Sequence, residues 1–293
     1  MTPFRRVLCA TDFSEFAGGA ARRAATLAAA LGAELRLMHV VGESQLRALR
    51  ELFPTSVEAE ARLLDDARRL LEEEATRLRD ATGIAAVQTI LRSGQPGDEI
   101  LAASEEADLL VLGAHGQNPL RDMIIGSTAE RMLRKAVRPI LVSRADPQAP
   151  YRRVLVPVDF SEHSGNAMRA AATLAPDADL TALHVFELPF EGKLWLAGVP
   201  NDEVLRFRSQ ARAQALRRVM DLSAGLGEQG ERFRPQVEQG PAARSILEAA
   251  DALEADLIVM GRRGRSLAES FFIGSVTRHV LSDAGCDVMV TPA

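Results

Sequence analysis

The sequence predicts an α/β protein of two tandem domains, each a parallel sheet flanked by helices. Three observations carry this. First, the chain repeats itself. Arg6-Val-Leu-Cys-Ala-Thr-Asp-Phe-Ser-Glu15 returns as Arg153-Val-Leu-Val-Pro-Val-Asp-Phe-Ser-Glu162, and His39-Val40 returns as His184-Val185. Ala107-Asp-Leu-Leu-Val-Leu-Gly113 returns as Ala255-Asp-Leu-Ile-Val-Met-Gly261, and Gly126-Ser127 as Gly274-Ser275. Likeness at both ends and in the middle, in one order, marks a duplicated domain and not a short solenoid repeat. Second, each copy alternates apolar strand runs with helical periodicity, the pattern of βαβ units with right-handed crossovers. Third, 293 residues suit two domains of ordinary size.

The elements of the first copy follow in order. Residues 7–10 form a buried β run, and the Ala-rich residues 14–31 have helical spacing. Residues 35–41 form a strand and 57–81 a long amphipathic helix rich in Arg and Glu. Residues 84–91 alternate as a strand does, and Pro96 opens a helix ending near Glu106. Residues 109–112 are a strand, 127–135 a helix and 140–142 the last strand. The second copy repeats the scheme, giving five strands and four helices per domain. Ser143–Arg152, with two prolines and small polar residues, is the natural linker. The expected domains are therefore 1–145 and 150–293. Ser14 and Ser161, each followed by a Glu, read as helix N-caps.

Composition limits the function. Hydrophobic residues at 47% and charged residues at 26% describe a soluble globular protein. A net charge of -5 argues against a general nucleic-acid binder, which needs a basic field. The most apolar stretch, residues 24–31, is too short to cross a bilayer, and no signal-peptide core is expected in the N-terminal apolar run. A cytoplasmic location is expected, with no membrane partner. Cys9 and Cys286 share no metal-ligand spacing and read as two reduced, buried thiols. Met38, Met132, Met220 and Met260 read as core residues.

Two features of each copy ask for more than packing. One is an Asp at the carboxyl end of strand 1, Asp12 and Asp159. The other is a glycine array after strand 4: Gly113-x2-Gly116-x9-Gly126-Ser127 and Gly261-x2-Gly264-x9-Gly274-Ser275. Glycines permit positive φ and let a ligand approach the backbone. Gly126 and Gly274 precede a helix whose first amides suit phosphate oxygens, with Ser127 or Ser275 adding a hydroxyl. If strands 1 and 4 are neighbours, Asp and array meet at the switch point of the sheet. Neither a Walker A sequence nor a GxGxxG after strand 1 is present. His39 and His184 read as structural, and no catalytic residue is assigned. His115 lies in the first glycine loop, where contact with a phosphate and plain exposure are equally open readings.

These residues resemble those of the universal stress protein family: the strand-1 Asp followed by Phe-Ser, His-Val ending strand 2, and G-x2-G-x9-G-S in both halves. The resemblance covers nearly the whole chain, twice. It implies doubly wound, Rossmann-like domains of strand order 3-2-1-4-5, and it implies ATP as ligand, with Mg2+. In ATP-binding members the glycine array and Ser hold the phosphates, which maps to Gly113, Gly116, Gly126, Ser127, Gly261, Gly264, Gly274, Ser275 and Val276. The strand-1 Asp and the backbone after the strand-2 His hold the nucleoside, which maps to Asp12, Val40, Asp159 and Val185. Tandem members resemble a fused dimer with adjacent last strands, and a further homodimer is compatible with this. The expected role is regulatory, in stress response. A slow ATPase or adenylyl-transfer enzyme is the second reading, and a non-nucleotide interaction or small-ligand module the third.

The copies differ. Val156-Pro-Val-Asp159 and Gly274-Ser-Val-Thr277 keep the binder pattern, while Cys9-Ala-Thr-Asp12 and Gly126-Ser-Thr-Ala129 loosen its flanks. Arg262, Arg263 and Arg265 either face the pocket and strengthen phosphate binding or face water as solubilising charge. The second half ranks as the better site. Residues 43–56, and a stretch of the second copy holding Phe190 and Trp195, are long enough to cover a pocket.

Overall fold

The structure is a computed structural model and describes residues 4–52, 57–114, 126–144, 149–188, 200–263 and 273–292. The chain divides into two compact units, essentially Thr2–Pro150 and Tyr151–Thr291. The first contains β1 (Arg6–Ala10), α1 (Glu15–Leu31), β2 (Glu34–Gly42), α2 (Glu43–Leu52) and α3 (Val57–Thr82). It continues with β3 (Val87–Gly94), α4 (Pro96–Ser104), β4 (Leu109–Gly113), α5 (Ser127–Lys135) and β5 (Ile140–Ser143). The second contains β6 (Arg153–Pro157), α6 (Glu162–Leu174), β7 (Asp179–Phe186), α7 (Asn201–Ala224) and a single turn, α8 (Glu228–Glu231). It ends with β8 (Phe233–Gln239), α9 (Ala242–Ala252), β9 (Leu257–Gly261), α10 (Ser275–Asp283) and β10 (Asp287–Thr291).

Within the first unit the strands run β3-β2-β1-β4-β5, every pairing parallel. The second runs β8-β7-β6-β9-β10, again all parallel. Both are the expected 3-2-1-4-5 order, doubly wound, with the order reversing between strands 1 and 4. The central strands are apolar at successive residues because helices cover both faces of a parallel sheet. Val7, Leu8 and Cys9 are 0%, 1% and 0% exposed, and Leu109 to Val111 are fully buried. Edge strand β3 is only partly buried along its length. It starts later than its apolar run suggests: Ile84 is buried before the strand, and pairing begins at Leu35 with Val87.

Helix α1 can lie close on the sheet because its inner face is alanine. Ala17, Ala20, Ala21, Ala24, Ala25 and Ala28 are all buried. Ser14 Oγ accepts from the amide of Ala17 at 3.2 Å, the N-cap its sequence announces, and Gly32 closes the helix in the left-handed region at φ 62°. Among its described residues the first unit holds the four expected helices and one more. Residues 43–52 form α2, whose buried Leu46 joins Val41 and Ala67 in a small cluster. Phe190 and Trp195 lie outside the described residues.

The repeated Ala-Asp before strand 4 has a purely architectural use. Asp108 Oδ2 accepts from the amides of Arg5 and Arg6 at 3.0 and 2.9 Å, and Asp256 accepts from those of Arg152 and Arg153 at 2.8 and 3.2 Å. Each Asp ties the start of strand 4 to the start of strand 1. Buried Arg23 likewise donates to the carbonyl of Ala149 in the linker at 2.8 Å. Two core expectations need correction. Met220 is 54% exposed, because it lies on the outer side of α7, whereas Met38, Met132 and Met260 are buried. Cys286 is only half-buried, while Cys9 is fully buried, and burial pushes its thiol up to about 12, an inert group.

Asp287, 1% exposed, accepts from the hydroxyl of Tyr151 at 2.7 Å. Tyr151→Phe removes that donor from a buried carboxylate, at a cost of about 1–3 kcal/mol. We expect the denaturation midpoint of the second unit to fall at unchanged m-value; an unshifted midpoint contradicts this.

Candidate functional site

The site grows out of the turn that follows strand 1. Phe13 and Phe160 both have φ of 63°, a left-handed backbone that bulky residues rarely adopt and that costs on the order of 1–3 kcal/mol. The surroundings hold it in place. In the first unit Thr11 Oγ1 accepts from Phe13 N at 3.1 Å and Asp12 Oδ1 from Ser14 N at 3.0 Å. The Phe13 ring lies on His39 at 4.3 Å, and Phe160 on His184 at 4.2 Å. The Arg218 guanidinium, from α7, sits 3.9 Å from the Phe160 ring centre. Nδ1 of His39 lies 2.8 Å from the carbonyl of Thr11, and that of His184 is 2.8 Å from Val158. A carbonyl can only accept, so each Nδ1 carries its proton and donates. Burial holds His39 below its ordinary value, in keeping with a neutral ring. The histidines are structural, as the sequence suggests.

The Asp side chains are set differently in the two units. Asp159 Oδ1 accepts three hydrogen bonds: from Ser161 N at 3.0 Å, Ser161 Oγ at 2.6 Å and Ser164 Oγ at 2.8 Å. Ser164 Oγ also accepts from the amide of Asp159 at 3.0 Å. Ser161 therefore occupies the N-cap position of α6 without capping it through its side chain, a correction to its expected role. Its hydroxyl instead donates to the Asp159 carboxylate.

Of the two reasons for glycine, positive φ is not the one used here. Gly113, Gly126, Gly261 and Gly274 all avoid positive φ. Gly116 and Gly264 lie outside the described residues, as do His115 and Arg265. At Gly261 a Cβ would meet His163 Cβ at 2.9 Å and the carbonyl of Arg263 at 3.2 Å, so this glycine lets α6 approach the end of β9. At Gly274 a Cβ would make only ordinary contacts, 3.5 Å from Arg262 O and 3.6 Å from Thr277 Oγ1. The fold itself has room for a side chain there. Gly126 and Gly274 are the N-caps of α5 and α10, and neither has a side-chain cap, which leaves the first amides facing outward. Thr277 Oγ1 donates to Gly261 O at 3.1 Å, tying the first turn of α10 to the end of β9.

In the second unit these parts bound one cavity of about 280 Å3. Val158, Leu183, Val185, Ala242, Ile246 and Met260 make its apolar walls. Asp159, Ser161 and Ser164 stand on one side, and Gly261, Arg263, Gly274, Ser275, Val276 and Thr277 on another. Every described second-unit residue predicted from sequence therefore meets in one place. Sequence reasoning missed Ser164, Leu183, Ala242, Ile246 and Thr277. Ser164 was within reach, one helical turn past Asp159. Ala242 and Ile246 were not, because only the crossover of α9 brings them to the strand ends. In the first unit Asp12 follows β1, Val40 lies in β2, Gly113 ends β4, and Gly126 and Ser127 open α5. The first turn of α5 contains Glu130, while that of α10 has no acid. Arg262 is held below the usual guanidinium range, first by burial and then by the charge of Arg263.

Comparison with known proteins decides the kinship. The model of the universal stress protein family matches residues 3–144 and again 150–292. The chain belongs to the universal stress protein family. A universal stress protein of Mycolicibacterium smegmatis is 28% identical over 297 residues, covering 97% of this chain and 96% of its own length. Universal stress protein MJ0531 of Methanocaldococcus jannaschii is 32% identical over 148 residues, 48% of this chain and 81% of its own. The crystal structure of a universal stress protein from Archaeoglobus fulgidus matches with a TM-score of 0.70 at 21% identity, covering 98% of both chains, and shares the fold. Among the described residues no helix is long and apolar enough to cross a membrane.

The two glycines of the second array separate packing from access. Gly261→Ala forces a backbone or helix shift and is expected to cost about 1–3 kcal/mol. Gly274→Ala loses only N-cap preference, under about 1 kcal/mol. Thermal denaturation of both variants checks this; equal losses contradict the assignment.

Proposed function

We propose that this universal stress protein is a cytoplasmic ATP-binding regulator of stress response, and that the second-unit cavity is its tighter nucleotide site. One observation carries the proposal: the strand-1 Asp and an uncapped helix N-terminus face a single cavity with apolar walls. The residues fit the chemical parts of a nucleotide. Val158, Val185, Leu183 and Ile246 offer a dry surface for a base. Asp159 accepts hydrogen bonds from base or ribose. The amides of Ser275 and Val276, the Ser275 hydroxyl and the positive end of the α10 dipole receive phosphate oxygens. A phosphate would also offset the mutual repulsion of Arg262 and Arg263. Gly274, whose missing Cβ the fold does not require, leaves the ligand room.

The cavity is at the small end of ligand pockets, which span about 300–1,000 Å3. Among the described residues no group of three or more His, Cys, Asp or Glu could hold a metal ion. Magnesium accordingly enters the proposal as counter-ion of the phosphates. The first unit offers Asp12, Val40, Gly126 and Ser127 on the same plan, with Glu130 opposing an anion at α5. Binding there is expected to be weaker.

The test starts from protein purified without added nucleotide. Denaturation, chromatography and mass spectrometry identify and count what is released, and titration with MgATP follows. About one ATP per chain, and at least tenfold weaker binding in Asp159→Ala with Asp12→Ala little changed, is the expected result. Released ADP would favour the hydrolytic reading. No release and no heat on titration would end the nucleotide proposal.

A further inference from the structure

We infer that Ser164 is a positioning residue of the second-unit site, acting on the ligand through Asp159. The inference rests on the nucleotide reading and adds to it a residue that sets the strength and selectivity of that site. Ser164 is the third residue of α6, 3% exposed at the inner wall of the cavity. Its hydroxyl makes two bonds to the same neighbour. It accepts from the backbone amide of Asp159 at 3.0 Å and donates to that residue's Oδ1 at 2.8 Å. One hydroxyl thus bridges the main chain and the side chain of Asp159. Ser161 adds its amide and hydroxyl to the same oxygen at 3.0 and 2.6 Å.

The consequence is geometric. With three donors converging on Oδ1 from the first turn of α6, the plane and rotamer of the carboxylate are fixed before a ligand arrives. A ligand whose hydroxyl or amine donates to Asp159 then meets an acceptor that has no rotamer freedom left to lose, the usual gain from preorganisation. The first unit lacks this arrangement. Ala17 stands at the position of Ser164 and has no hydroxyl, and Ser14 turns its Oγ to the helix cap instead. The shared Asp-Phe-Ser sequence hides this difference, because the deciding residue lies three positions beyond it.

The experiment is a double-mutant cycle on the full chain, with MgATP affinity read by NMR titration, which reaches millimolar binding. Ser164→Ala should weaken ATP about threefold to tenfold, the cost of immobilising again one side chain that has been set free. In an Asp159→Ala background the same change should alter affinity less than about twofold, because the group it acts through is gone. Equal losses in both backgrounds would mean that Ser164 only shapes the wall, and would overturn the inference. So would wild-type affinity in Ser164→Ala. If that variant fails to fold, Ser164→Cys, similar in size with a poor donor, should show the same loss in one background only. Absence of ATP binding by the wild type would remove the nucleotide reading and this inference together, whereas binding untouched by Ser164 changes would remove this inference alone.

Discussion

A parallel strand buried on both faces has every backbone group engaged by its neighbours and every side chain in the core, so chemistry can occur only where it ends. That constraint governs each unit. Strands 1 and 4 are buried through their middles, and the sheet order reverses between them, so the helices after them leave toward opposite faces. The crevice at their carboxyl ends is where backbone amides and polar side chains become available. All that follows depends on how the chain turns there. After strand 1 it does so through a phenylalanine in a left-handed conformation, Phe13 or Phe160, held by a histidine from strand 2. The same histidine holds the carbonyl two residues before that phenylalanine through Nδ1, so one ring serves both ends of the turn. The strained turn presents the Asp at the crevice.

The glycine array illustrates how one residue type can answer two different physical demands. Gly261 and Gly274 carry ordinary backbone angles, so left-handed freedom explains neither. Gly261 is a contact glycine between β9 and α6, and it belongs to the fold. Gly274 opens a helix end to the cavity and leaves space that the fold does not fill. A repeated glycine pattern therefore combines two physical demands, and only the distances from absent Cβ atoms separate them.

Duplication preserved the frame and let the sites diverge. Both units keep the strand order, the Asp that ties strand 4 to strand 1, the left-handed Phe and the uncapped helix after the array. The surroundings of the ligand positions differ. The second unit has two serines gathered on Asp159, two arginines beside the array and no acid in the first turn of α10. The first has an alanine, a capping serine and Glu130. Each difference alone is small; together they are the support for proposing the tighter anion site in the second unit.

By itself the sequence determined the duplication, the alternation of strands and helices and the residues at the strand ends. These are local matters: periodicity reports which faces are buried, and exact recurrence reports shared descent. The strand order 3-2-1-4-5 came from family resemblance rather than from periodicity, because no local pattern states which strand pairs with which. Helix α2 was missed although Leu46, Leu49 and Leu52 stand at helical spacing, because the segment was read by its length, as a cover for the pocket. Only the tertiary structure decided which residues share the cavity. Asp159 comes from the end of β6, Ile246 from α9 and Ser275 from α10, and crossovers bring them together across more than a hundred positions. The same holds for Ser161, whose hydroxyl joins that of Ser164 on Asp159, a convergence that only the folded turn displays.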